Sequence, residues 1–170
     1  MGMGRVLKDS LLYNEGFAYL GDTKTITLPT LTRKLEETRG GGMNGPAKAD
    51  MGMEAMSMGM TFAAPMRDII RQWGTPTVDG VYLRAVCNYQ ADDSAALDTV
   101  QVIARGRWGE LEFGDQETGE AGEFSATFEM VYYKLEWNGR VEVEIDFLNM
   151  IEIVDGVDLL AARRAALGRF

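Results

Sequence analysis

The sequence predicts an α+β fold, mostly antiparallel β, in a single domain over residues 1–170. Three observations carry this. Apolar and polar residues alternate with a period of two through most of the chain, the pattern of strands with one buried face. Asn138 and Gly139 stand between two such runs, and both residue types accept the positive φ that a two-residue hairpin requires. Helical spacing is confined to two short stretches, 65–74 and 158–167. A chain of 170 residues with 46% apolar and 25% charged residues suits one sizeable core, and no linker or internal repeat divides it.

In chain order, residues 11–13 and 17–20 flank Asn14, Glu15 and Gly16, a tight hairpin. Residues 23–38 read as a strand interrupted at Pro29, with 53–62 as its returning partner. Pro65 opens the first helix and Gly74 ends it, with Ile69, Ile70 and Trp73 on its apolar stripe. Strands follow at 81–90 and 97–108, then an acidic, glycine-containing loop over 109–122. The Asn138-Gly139 hairpin joins strands at 123–137 and 140–153. The second helix runs from Asp158, its expected N-cap, to Leu167 before Gly168.

Histidine is absent and Cys87 is the lone cysteine. That removes the commonest general base, His–nucleophile pairs and Cys-based metal clusters; no metal, cofactor or catalytic residue is expected. Glycines 40, 41, 42 and 45 have the spacing of a phosphate loop, but Pro46 and Ala47 stand where Lys and Ser/Thr belong. Asp115 to Glu120 has its glycine one place early for an EF-hand and reads as a solvated acidic loop. The net charge of −9 lies wholly in residues 61–170, which argues against phosphate gripping. Residues 1–8 lack the apolar block of a secretory signal, so the chain is expected to remain in the cytoplasm or be assembled there.

Six of 11 methionines fall between Met43 and Met60. Met56, Met58 and Met60 alternate with Ser57, Gly59 and Thr61 and read as core. Met43, Met51 and Met53 flank a glycine-rich tip too poor in apolar residues to build its own core, and flexible methionines there suit contacts with another chain. Two other strands are also two-faced. Val100, Val102 and Ala104 oppose Thr99, Gln101, Ile103, Arg105 and Arg107; Phe124, Ala126, Phe128 and Met130 oppose Glu123, Ser125, Thr127 and Glu129. Sheet edges left open invite pairing with another chain, and joining them between copies would close a ring with the polar face inside.

These residues carry a resemblance. Leu28 to Glu36 with Arg39 to Met43, then Met51 to Met53, Tyr132 to Leu135, Glu144 to Asp146 with Asn149, Asp155 to Asp158 and Ala161 to Gly168 resemble the major tail tube protein of contractile-tailed bacteriophages and R-type tailocins. The resemblance spans almost the whole chain in order. It implies a small β-barrel or sandwich with a flanking helix and a long extended arm, six copies per ring and rings stacked into a tube. It further implies a sheath protein outside, tape-measure protein and transient DNA inside, and tube-initiator and terminator proteins at the ends. On this resemblance residues 39–60 form an inter-subunit arm, with Arg39, Gly40, Gly41, Gly42, Met43, Asn44, Gly45, Pro46, Met51 and Met53 as its docking residues. Ser57, Thr61, Thr99, Gln101, Arg105, Ser125, Thr127 and Glu129 then face the lumen. Arg105 and Arg107 depart from an acidic lumen unless paired with Glu129 or Glu110 or placed near the rim. A DNA-free tailocin tube fits the same residues. Two other classes compete: a ligand-binding β-barrel, which needs an apolar interior, and a histidine-free enzyme built on Glu142, Glu144 and Asp146, whose shared strand face a solvated edge also produces.

Overall fold

The computed structural model describes residues 2–169, as twelve strands and two short helices. Strand β1 (Val6–Asn14) turns through Glu15 and Gly16, at φ of 48° and 94°, into β2 (Phe17–Ala18). Then come β3 (Thr23–Thr27), β4 (Arg33–Thr38), β5 (Ala47–Met53) and β6 (Met56–Phe62). Helix α1 (Arg67–Arg71) precedes β7 (Val81–Gln90) and two long strands, β8 (Leu97–Glu112) and β9 (Phe124–Trp137). Asn138 and Gly139, at φ of 49° and 83°, turn the chain into β10 (Arg140–Asp146), followed by β11 (Ile151–Val154), β12 (Val157–Asp158) and α2 (Ala161–Ala166).

Ten strands form one antiparallel sheet, and β4 and β5 pair only with each other. Strand β9 divides the large sheet. Its first half pairs with β6, from Phe62↔Phe124 to Met56↔Met130, and β6 pairs onward to β3. Its second half pairs with β10, from Tyr132↔Asp146 to Trp137↔Arg140. Strand β8 runs beside both halves, and a register shift opposite Val131 flips the face that β9 presents inward. The result is two wings on a shared spine: β3, β6 and the first half of β9 with the end of β8, and β12–β11–β10 with the rest of β9, β8, β7, β1 and β2.

The apolar faces of both wings merge into one core. Phe62, Phe124, Phe128, Leu12, Leu83, Val102 and Ala104 are fully buried there, with Ile69 of α1 covering one side. Tyr19 meets Phe62 edge-on at 5.6 Å, and Trp108 meets Phe128 at 5.2 Å. Burial of each such side chain contributes roughly 1.5–3 kcal/mol. A polar network ties α1 to this core: Asn14 Nδ2 donates to Tyr19 Oη (3.0 Å) and Gln72 Oε1 (2.8 Å), Gln72 Nε2 donates back to Asn14 Oδ1, and Trp108 Nε1 donates to Gln72 Oε1. No buried side-chain polar atom is left without a partner among the described residues, as a low-dielectric interior demands.

Several expectations change. The break at Pro29 is present, but the strands around it have different partners: β3 pairs with β6 and β4 with β5. Of the 39–60 span expected as an arm, residues 56–60 belong to core strand β6; the element outside the large sheet is the β4–β5 hairpin. The run 140–153 is two strands, because the Asp146 carboxylate accepts from the Leu148 and Asn149 amides and turns the chain. Asp158 lies in β12 and not at a helix N-cap; Asp155 and Gly156, at φ of 51° and 78°, make a further hairpin there. Helices expected at 65–74 and 158–167 are shorter, and within one chain the sheet is open, not a closed barrel.

Candidate assembly interface

Two of the sheet's free edges belong to the smaller wing. Strand β3 pairs with β6 on one side only. At the other edge, β7 pairs with β8 only up to Gly106, so residues 107–112 of β8 have backbone groups unpaired on that side. The wing is therefore a four-stranded antiparallel ribbon, β3–β6–β9–β8, open at both edges.

Its outward face is polar in register. Ser57 lies opposite Glu129, Gly59 opposite Thr127 and Thr61 opposite Ser125. Thr25 and Thr27 extend the row on one side, and Arg107, Glu110 and Glu112 on the other. Three carboxylates against one guanidinium leave this face acidic. Five of the eight residues expected on the polar face, Ser57, Thr61, Ser125, Thr127 and Glu129, meet on this ribbon. Arg105, Gln101 and Thr99 continue along β8 on the same face, but in the larger wing, opposite Tyr82, Val86 and Asn88. There the polar pattern lapses, because Leu11, Val86 and Ile103 interleave. Arg105 lies over the Tyr82 ring at 5.5 Å, and Thr99 donates from Oγ1 to Asn88 Oδ1. Neither Arg105 nor Arg107 pairs with Glu129 or Glu110; no ion pair of either is present among the described residues.

The arm is a hairpin with little covering it. All six residues of β4 are exposed, and β5 has only Ala49, Gly52 and Met53 half-buried. At about 3.3 Å per residue its strands carry the tip roughly 20 Å from its root. The tip turns through Gly40, Gly41, Gly42 and Met43: the Met43 amide donates to the Gly40 carbonyl, and Gly42 takes a φ of 85°. Arg39 Nε reaches the Met43 carbonyl, while Asn44, Gly45 and Pro46 lead into β5. Met43 and Met51 are 40% and 56% exposed, whereas Met53, at the root, packs on the core. An isolated two-stranded hairpin is marginal in water, and most of this one is exposed.

Cys87 is buried, and burial pushes its thiol above the usual value. Glu144 accepts from the Tyr132 hydroxyl, and Asp146 is engaged in its turn. Among the described residues no cluster of carboxylates and cysteine has metal-holding geometry, and no helix is long and apolar enough to cross a membrane.

A family model described as phage tail tube protein FII matches residues 4–168. The chain belongs to that family. It is 39% identical over 171 residues to the tail tube protein of Escherichia phage P2, covering 99% of each chain. To the major tail tube protein of Serratia phage KSP20 it is 30% identical over 165 residues, covering 96% and 95% of the two. The family match includes the stretch 62–96, where α1 and β7 lie. Membership makes this chain a structural component of a phage tail tube, and so part of the virion.

Proposed function

We propose that six copies close into a ring by edge-to-edge pairing of the small wing, and that rings stack into the hollow inner tube of a contractile phage tail. The open ribbon carries this reading. Its edge strands β3 and β8 run antiparallel to each other, because they sit at the two ends of a four-stranded antiparallel series. Joining β3 of one copy to residues 107–112 of β8 in the next therefore continues the antiparallel pattern without a break, and closure removes the open edges. The polar row then lines the bore. Ser57, Thr61, Ser125, Thr127 and Glu129 lie at its centre, with Arg105, Gln101 and Thr99 further along the same face.

The arm reaches a neighbouring copy. Burying Met43 or Met51 there contributes roughly 1.5–3 kcal/mol each, while ordering each backbone residue costs about 1–2 kcal/mol. Two methionines offset the ordering of only about three residues, so one arm alone does not hold a copy, and growth depends on several arms acting together on a nucleating ring. Around this tube a sheath protein packs outside, tape-measure protein and DNA pass inside, and initiator and terminator proteins cap the ends. The role is structural and not catalytic. An acidic bore lets DNA slide, since gripping phosphates needs Lys and Arg.

Electron microscopy of concentrated protein tests the reading: rings or tubes are expected, and a strictly monomeric chain even with baseplate present rejects it. The lining is tested by Thr127→Cys in a Cys87→Ser background. The cysteine reacts in assembled tubes with small thiol reagents and resists bulky ones; equal labelling by both puts this face outside. A tube of a DNA-free tailocin shares all of this geometry and differs in lacking a packaged genome.

A further inference from the structure

The root of the arm holds a charge where the strand pattern calls for an apolar side chain. In β11, Ile151 and Ile153 are half-buried and Glu152 between them is the buried residue, 6% exposed and opposite the buried Ile145. Its carboxylate pairs with the guanidinium of Arg33, the first residue of β4. The same guanidinium lies 3.2 Å from Asp50 Oδ2 on β5. One side chain thus joins both strands of the arm to one buried acceptor in the body.

Other restraints at this point are few: Met53 packs on the core, and the Glu54 amide donates to the Thr32 carbonyl. The hairpin shares no strand pairing with the large sheet, and packing beneath it is incomplete. A recess of about 430 Å³ opens there, among Met53, Phe147, Met150, Ile151, Leu159 and Leu160. A loosely packed root leaves direction to the ion pair, because a buried carboxylate stripped of its partner is strongly disfavoured. We infer that Glu152 is a positioning residue that fixes the angle at which the arm leaves the body, so that its tip is presented already aimed at a neighbouring copy. Pre-orientation lowers the ordering cost of association. That consequence rests on the ring reading above; the aim of the arm in an isolated subunit does not.

The experiment measures arm direction and assembly separately. Spin labels at Asn44→Cys and Thr127→Cys, in a Cys87→Ser background below the assembly concentration, report the tip-to-body distance distribution. Glu152→Gln keeps the shape and removes the charge; the distribution is expected to broaden about twofold as the arm samples more directions. The threshold concentration for tube growth is expected to rise about tenfold. The double variant Arg33→Met with Glu152→Leu replaces the pair by apolar side chains. It is expected to melt at least as high as the parent, as apolar substitutes for buried pairs often do, while the distribution stays broad. If Glu152→Gln does not fold, this double variant carries the test alone. A distribution as narrow as the parent's in either folded variant overturns the inference, whatever happens to melting temperature. Unchanged tube growth with a broadened distribution leaves the aim in place and removes its role in assembly.

Discussion

Met56, Met58 and Met60 are at most 2% exposed, while Met43 and Met51, in the same methionine-rich stretch, are 40% and 56% exposed. The side chain is identical, so the difference lies in what the backbone has around it. Strand β6 is clamped between β3 and β9, and every second side chain is driven into the core beside Phe124 and Phe128. The β4–β5 hairpin has no third strand and no layer beneath its outer half. One half of the segment is finished by its own chain; the other half is left exposed. A flexible thioether suits both, filling an irregular core and adapting to a second surface.

Breaking the core half should have the largest effect on the subunit. A Cβ at Gly106 would lie 1.9 Å from the Glu129 carbonyl oxygen and 2.7 Å from Met130 Cα. Because both obstacles are backbone, Gly106→Ala is expected to cost more than about 4 kcal/mol and to abolish soluble folded protein. Phe128→Ala should cost about 3–5 kcal/mol, read from the denaturant midpoint. Asn14→Ala removes the hub between Tyr19 and Gln72 and should cost about 1–3 kcal/mol through the partners left unpaired; a loss below the resolution of the melt would show that α1 does not depend on the network.

A smaller effect is expected at the C-terminus on acidification. The Arg164 guanidinium beside Asp158, with help from the Leu160 amide, holds that carboxyl below the usual carboxylate range. A depressed folded-state pKa contributes stability that is present above the unfolded value of about 3.9 and lost as pH falls through the folded one. The α2 amides should therefore lose hydrogen-exchange protection below about pH 4, before the sheet does. Asp158→Asn should remove that step, and a step that persists would place its cause elsewhere.

The arm half should show the smallest change in the subunit and the largest in assembly. Met43→Ala and Met51→Ala are expected to move stability by no more than about 0.5 kcal/mol. Replacing Gly41 to Lys48 by Asn-Gly should leave the melting temperature unchanged and abolish stacking. Tubes of normal length from that deletion would show that the tip is not the docking element.

What the sequence determined by itself is what depends on neighbours along the chain. Positive-φ dipeptides placed the turn at Asn138-Gly139, and strict alternation fixed β7 at both ends, the buried faces of β6, β8 and the first half of β9, and the polar row of Ser57, Thr61, Ser125, Thr127 and Glu129. It also carried the family. What only the tertiary structure decided is pairing between distant strands and the sense of short ones. Alternation is equally satisfied whether 53–62 returns on 23–38 whole or is split between β3 and β4, and the split is set by pairing across the chain, from Thr23↔Phe62 to Thr27↔Gly59 for β3 and from Arg33↔Met53 to Thr38↔Ala47 for β4. In β11 the isoleucines at 151 and 153 point to the wrong face for a pattern-based reading. Glu152 is inward because Arg33, 119 residues away, supplies the charge that makes its burial tolerable. No local signal announces such a partner, since the free energy that decides it exists only once the arm's root and β11 have come together.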